Sequence, residues 1–427
     1  MSFGIISASN LSIPSGTNLP VSYADTANLD AFSRLRISQP IELFSTQTQY
    51  DSDPLLMEVG ATGTGVSPTH SSNTRMVELS TTAGSGTSFI QSYQYVPYQP
   101  SKSHLIFVTG VLGSAVENSV VDVGYFDSAN GIFYRQNGIN GLEIVLRSST
   151  SGGVNNNAIP QVGWNLDPLN GSGASGITLD PTKDFILVID LQFLAMGRVR
   201  IGFDIGGVII YAHEFLNSNI ISVPYMQTAT LPVQMLITST SSGSTKTSYF
   251  KCAAVNTEGG ADTANIELGY SFSTPRVASN AGNMVRNHAF SIRPKTTFKG
   301  LTNREKFVFN QIDIINTGNS NVYWELCIGA TFSAAPTYAD VNANYSAFEV
   351  GTGGTFGNLT NGLVFASGFA VSQGNSRVQV AEVISNRYPI TLDRAGAVRD
   401  MGTLTLLLTG ITNSSACQSG CIFKEIR

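Results

Sequence analysis

The sequence predicts an all-β protein: an N-terminal extended arm followed by two antiparallel β-sandwich domains with jelly-roll-like strand patterning. Three observations predict this. From Asp184 to Phe215 an apolar, β-rich run (Phe185 to Leu194) is broken at Met196-Gly197. Val199, Ile201, Phe203 and Ile205 then alternate with Arg200, Gly202 and Asp204, and a third apolar run follows Gly206-Gly207. Strict alternation puts one face of each strand on a core, and a Gly-Gly pair suits a two-residue turn needing positive φ. Many other short apolar runs, separated by Gly-, Asn- and Ser-rich spacers, have the spacing of a sandwich. The composition is turn-rich, with 42 glycines in 427 residues.

Residues 1–55 read as the arm. Pro14, Pro20 and Pro40 punctuate it, and it has no helical period. Leu29, Phe32, Leu35, Ile37, Ile41, Leu43 and Phe44 are too apolar for a free tail, so the arm is expected to dock on its own domain or on a neighbouring subunit. Residues 56–275 read as the first sandwich, lectin-like in pattern. Candidate strands lie near Arg75–Leu79, Phe89–Tyr95, His104–Leu112, Val120–Phe126, Ile132–Gln136, Leu142–Arg147, across the 184–215 meander, and near Val233–Thr238 and Tyr249–Val255. Ser148 to Asp180 is read as one long Gly-, Asn- and Ser-rich loop holding Trp164. A linker is expected within residues 256–287, and residues 276–427 read as the second sandwich. There a hairpin is expected between Lys306–Ile315 and Val322–Ile328, with further strands at Val364–Ser372, Val378–Ile384, Thr403–Thr409 and Cys421–Ile426. A short helix is expected in Thr337–Phe348.

Hydrophobic residues are 42% of the chain, which makes it globular, while charged residues are only 12%, about half the usual share. The net charge is −5 with no basic run, so no nucleic-acid partner is expected. No apolar stretch has the length of a membrane span. The N-terminus lacks the basic and continuous apolar regions of a secretory signal. Such a chain suits assembly in a host cytoplasm into a particle released later. The four cysteines are too few and scattered for a disulfide framework. Cys417 and Cys421 would need further ligands to hold a metal, so neither a metal nor a cofactor is expected.

Catalytic signals are weak. His70, His104, His213 and His288 are far apart and show no ligand spacing. There is no nucleophile elbow and no phosphate-binding loop. Asp122, Asp127, Glu143, Asp190 and Asp204 sit in or beside strands, as a glycosidase acid pair would, but nothing singles out two of them. Asp51-Ser-Asp53 and Asn155-Asn156-Asn157 offer oxygen ligands of the kind Ca²⁺ takes, without a complete motif. No enzyme is expected. Tyr93 and Tyr95 would share one face of a strand, where tyrosines either stack on sugars, pack at a subunit seam or close a core edge. Trp164 is either a loop anchor or a ligand platform.

Two segments carry a resemblance. Asn28-Leu-Asp-Ala-Phe-Ser-Arg-Leu-Arg-Ile-Ser-Gln-Pro40 resembles the "DAFGRLRVS-x-P" signature of a family of tailed-phage virion structural proteins, with Ser33 where that signature has Gly. Gly197 to Phe215, Pro224 to Val233 and the Lys424-Glu-Ile-Arg427 ending are similar to other parts of the same proteins. The central meander is also similar in pattern to laminin-G and concanavalin-like lectin sandwiches. The resemblance implies a virion component, either decorating the head or belonging to the tail or its fibres, and brings no catalytic residues. Its expected partners are other virion proteins and further copies of itself, with a trimer as the guess. In the assembly arm, Phe32 and Leu35 would be apolar anchors, while Asp30, Arg34 and Arg36 would make polar contacts. The alternative is a carbohydrate-binding module of a tail fibre, contacting a host surface glycan through Tyr93, Tyr95 and Trp164.

Overall fold

In the computed structural model of the protein, residues 40–241, 245–258, 269–379 and 388–427 are described. The expected assembly residues Asp30, Phe32, Arg34, Leu35 and Arg36 lie outside them.

The first sheet is built from β1 (Pro40–Gln47), β2 (Met57–His70), β3 (Val77–Ser92), β4 (Ser103–Val111), β5 (Ser119–Phe126), β6 (Gly131–Asn137) and β7 (Leu142–Ser148). It continues with β8 (Asn155–Pro160), β9 (Asp184–Leu191), β10 (Val199–Ile205), β11 (Val208–Phe215), β12 (Val233–Ser241) and β13 (Lys246–Glu258). The order is β11-β10-β9-β4-β13-β3-β12-β5-β6-β7-β8, with β1 added on β13 and β2 on β3. The sixteen-residue β3 bends the sheet on itself, because Val77–Thr81 pairs with β13 and Gly84–Gln91 with β12. Alternation along β4 buries His104, Ile106 and Val108 on one side. Ile106 and Val108 share one core with Val121, Val123 and Tyr125 of β5. Rings from the two layers meet edge-on in that core, Tyr134 of β6 lying 5.0 Å from Phe203 of β10 and 5.9 Å from Phe185 of β9.

The central meander forms as its pattern predicts. β9, β10 and β11 pair antiparallel, Gly206 and Gly207 have φ of 65° and 83°, and Asp204 accepts a hydrogen bond from the Gly207 amide. Elsewhere the pattern reads differently in three dimensions. Pro40–Gln47, inside the predicted arm, is a strand of the sheet. The predicted strands around Arg75 and Phe89 are one continuous β3, and its partner β2 was not expected at all. The Gly-Thr-Ser run reads as a loop, but small residues are needed there: a Cβ on Gly86 would lie 2.4 Å from the Gly65 and Thr64 nitrogens. The predicted 148–180 loop contains β8.

The second sheet, eleven-stranded, takes in Tyr270 to Ile426, with the strand Ser415–Ile426 near its centre. That strand pairs with Lys306–Asn316 along its length and with Val277–Asn283 and Tyr270–Ser273 on its other side. The expected hairpin is a correction. Lys306–Asn316 and Val322–Ile328 are both strands, but the second pairs with Leu404–Gly410 and Leu363–Ala370 instead. The Asn316 side-chain amide donates to both Ser320 O and Ala370 O, which turns the connection into an arch between layers. The expected helix is absent as well: Thr337–Asp340 is a strand, and Tyr338 lies under the Arg293 guanidinium at 3.4 Å. The predicted strand at Val378 is seen as Asn375–Gln379; its continuation lies outside the described residues. Phe290, Phe309, Phe348, Trp324 and Phe423 anchor a second core. The protein is thus all-β, with curled antiparallel sheets forming two sandwich-like bodies.

Candidate functional site

The tyrosine face predicted as a binding surface is closed by the second sandwich of the same chain. Tyr93 and Tyr95 follow β3. The Arg399 guanidinium lies 3.6 Å from the Tyr93 ring centroid and Arg304 lies 4.2 Å from that of Tyr95. Arg394 covers Phe89 at 4.4 Å. The arginines are held in turn by backbone: Arg399 donates to Pro389 O (2.6 Å) and Thr391 O (3.1 Å), and Arg304 donates to Asp393 O and Arg394 O. Across the seam the Arg394 amide donates to Glu58 Oε2 at 2.7 Å, and its Nε to Gln91 Oε1 at 3.1 Å. Tyr95 is 5% exposed. Burial raises the Tyr95 phenol to about 12, lowers Arg399 to about 10, and raises the Glu58 carboxyl. A desolvated stack of this kind contributes up to about 2 kcal/mol. Sequence reasoning missed these arginines. The available signal was Arg394 and Arg399 standing close together in a chain with few charges.

Trp164 is buried in the first core, its indole N–H donating to Ile159 O at 3.1 Å. It anchors the segment between β8 and β9 to the sheet.

The strand carboxylates are engaged by their neighbours. Asp122 binds Arg135 through two bonds of 2.7 and 2.9 Å, with Arg147 at 3.9 Å. Both guanidinium groups lie over the buried Phe133 ring. Asp122 and Glu143 face Arg135 from the two adjacent strands, so a cation stands between these two carboxylates. Asp190 pairs with Arg200, which stacks 4.1 Å above Tyr211. Asp127 accepts from the Ala129 and Asn130 amides.

The histidines are framework groups too. His104 is fully buried and His288 nearly so, and burial lowers each to about 4. His213 accepts from the Asn165 amide and His70 bonds Thr48 O. Cys327, Cys417 and Cys421 are buried thiols. Asp51 accepts from the Asp53 amide, and Asp53 from the Thr46 hydroxyl. Among the described residues no group of three or more His, Cys, Asp and Glu could hold a metal ion. Likewise no helix there is long and apolar enough to cross a membrane.

A shallow depression of about 540 Å³ lies beside β1, β13 and β4. Ser45, Gln47, Thr109, Cys252 and Ala254 line it, with Phe107 and Asp51. Tyr50, 82% exposed, stands at its margin. Its lining is uncharged apart from Asp51 and Asp53, and sequence alone did not bring these residues together.

No protein-family model matches the chain. No curated protein matches it either. Solved structures resemble parts of it. A carbohydrate esterase of the Shiga toxin-encoding bacteriophage phi24B is similar at 12% identity and TM-score 0.30, over 51% of this chain and 99% of that one. A CBM2 module of the evolved Dit of Lactobacillus casei BL23 phage J-1 is similar at 7% identity and TM-score 0.31, over 52% and 97%. A carbohydrate-binding module, CBM66, of Bacillus subtilis is similar at 12% identity and TM-score 0.24, over 45% and 92%. At these scores the likenesses carry no argument about what this chain does.

Proposed function

We propose that the protein is a structural component of a bacteriophage particle, on its outer part as a head decoration, fibre or tail component. It acts by subunit assembly with other virion proteins and with further copies of itself, a trimer being the working number, and not as an enzyme. The observation that supports this is where the family-like residues fall. Gly202 has no space for a Cβ, which would sit 2.2 Å from Ile210 O; Arg200 and Asp190 pair across strands; Asp204 closes a turn. In the Lys424-to-Arg427 ending, the buried Glu425 carboxylate accepts from Ser346 Oγ (2.5 Å) and the Ala347 amide (3.0 Å). Arg427 binds Glu305 and covers the Tyr270 ring at 4.5 Å. All of these build framework, as a protein selected for shape requires.

Mass spectrometry and electron cryomicroscopy of purified particles test the reading. The chain should be present in fixed stoichiometry, with density on the capsid, at a vertex or on the tail. A chain lacking residues 1–39, which keeps β1, should fold and fail to incorporate. Absence of the chain from particles overturns the reading, and normal incorporation of the shortened chain removes the arm from it.

A second reading, binding of a host surface glycan, is supported by the Tyr50 depression. An exposed ring beside hydroxyl and amide groups suits the apolar face and hydroxyl edge of a sugar. Glycan-array binding lost in Tyr50→Ala supports it, and binding unaffected by that change moves it elsewhere.

A further inference from the structure

Three strands of the first sheet lay a floor of mostly small residues on its outer face. Alternation turns Val108 of β4 and Ala253 of β13 into the core. It leaves two rows in register on the other side: Gln47, Cys252 and Thr109, then Ser45, Ala254 and Phe107. Short side chains at most of these places make the 540 Å³ depression. The turn after β1 forms its wall and is fastened from several sides. Asp51 Oδ1 accepts from the Asp53 amide (2.7 Å), and the Thr46 hydroxyl donates to Asp53 Oδ2 (2.8 Å). The Thr48 amide donates to Lys251 O (3.1 Å), and the Thr48 hydroxyl to Arg75 O (2.8 Å). Tyr50 therefore stands on a built turn with its ring in solvent at the margin of the depression.

The charges of the depression select its ligand. Asp51 and Asp53 line it, and no Lys, Arg or His does. Two cations near the turn, Arg75 and Lys251, donate to backbone oxygens, Gln49 O and Arg75 O. A sugar acid would meet like charge here, on a chain whose net charge is −5. A protonated amine would meet a carboxylate and the face of an exposed ring, and both attract it. The hydroxyl and amide groups of Ser45, Thr109 and Gln47 suit a hydroxyl-bearing ring that carries the amine better than the bare stem of a lysine. We propose that the depression binds a hexosamine with a free, protonated amine, its ring on Tyr50 and its ammonium on Asp51. The inference rests on the glycan reading above and names the class of sugar.

Isothermal titration calorimetry on the full chain at about pH 6, where the amine is protonated, tests it. The probes are a glucosamine tetramer, its fully N-acetylated counterpart and trilysine. The free-amine tetramer should bind about tenfold more tightly than the acetylated one. Asp51→Asn keeps an acceptor for the Asp53 amide. It should erase that preference and leave the affinity for the acetylated tetramer unchanged. Tyr50→Ala should weaken binding of both tetramers by about fivefold or more. Both side chains are exposed, so each variant should keep the wild-type thermal midpoint. Equal affinity for the two tetramers overturns the inference and leaves the glycan reading standing. Trilysine binding as tightly as the free-amine tetramer also overturns it. So does a preference that persists in Asp51→Asn, which would be attraction to an acidic chain at large. If neither tetramer binds, the inference fails, and the glycan array decides the glycan reading separately: Tyr50-dependent binding of another sugar keeps that reading, and a blank array removes it.

Discussion

His104 should make the first sandwich sensitive to mild acid. Its ring is fully buried, both nitrogens lack partners, and Tyr98 and Tyr125 lie edge-on at 5.2 and 6.5 Å. Desolvation is the cause that lowers it, to about 4 from 6.5. The folded value is depressed, so the stability tied to neutral His104 is fully present above pH 6.5. It is lost as pH falls through about 4. At about 1.4 kcal/mol per pH unit, the whole effect is about 3 kcal/mol, of which about 2.5 kcal/mol has gone by pH 4.5. The assay is urea unfolding of wild type and His104→Leu at pH 7.5 and 4.5. Carboxylates titrate in both proteins, so the difference between their pH slopes isolates the histidine. His104→Leu should lose about 2 to 3 kcal/mol less on acidification. Equal losses would refute the reasoning and mean that water or a partner reaches the ring.

Three further outcomes follow from the same geometry. Arg399→Ala should cost about 3 kcal/mol in chemical denaturation, because it removes the Tyr93 stack and leaves two backbone acceptors bare; Arg399→Lys should recover less than half of that. Lys246 is buried, donates to Ser114 O and Gln136 Oε1, and is lowered by burial to about 8. Wild type should therefore gain stability as pH rises from about 8 to 10.5, and Lys246→Met should lack that rise in pH-dependent melting. Gly202→Ala should destabilise by about 3 kcal/mol, read as a fall in thermal midpoint, because its methyl group meets backbone that cannot step aside.

How far the fold could be read from the chain depended on how local the cause was. The 184–215 meander was legible because alternation and a Gly-Gly turn are contained within it. The Lys306 and Val322 strands were legible singly, but their pairing was not, since Ala370 O, a remote group, helps turn the Asn316 connection into an arch. Thr337–Asp340 was misread because what makes it a strand is its antiparallel pairing with Phe348–Thr352, which its own residues do not signal. β2 was hidden by glycines whose purpose is close backbone approach. For the surface, Tyr93 and Tyr95 were expected on one face of a strand, but β3 ends at Ser92 and both lie in the segment after it. What covers them was not legible either, because the covering arginines come about 200 to 300 residues later. The Tyr50 depression joins β1, β4 and β13 and has no local signature.

The position of Ser415–Ile426 inside the second sheet bears on how the chain is made. Its neighbours Lys306–Asn316 and Val277–Asn283 leave the ribosome more than ninety residues earlier and wait with open edges. The first sandwich has all thirteen of its strands by Glu258 and can close during translation. The second can close only when synthesis passes Ile426. A chain broken off early therefore carries one finished body and one sticky, unfinished one, the kind of product that chaperones retain and proteases remove. That timing acts as a check on completeness: only chains translated through this strand carry a closed second sheet.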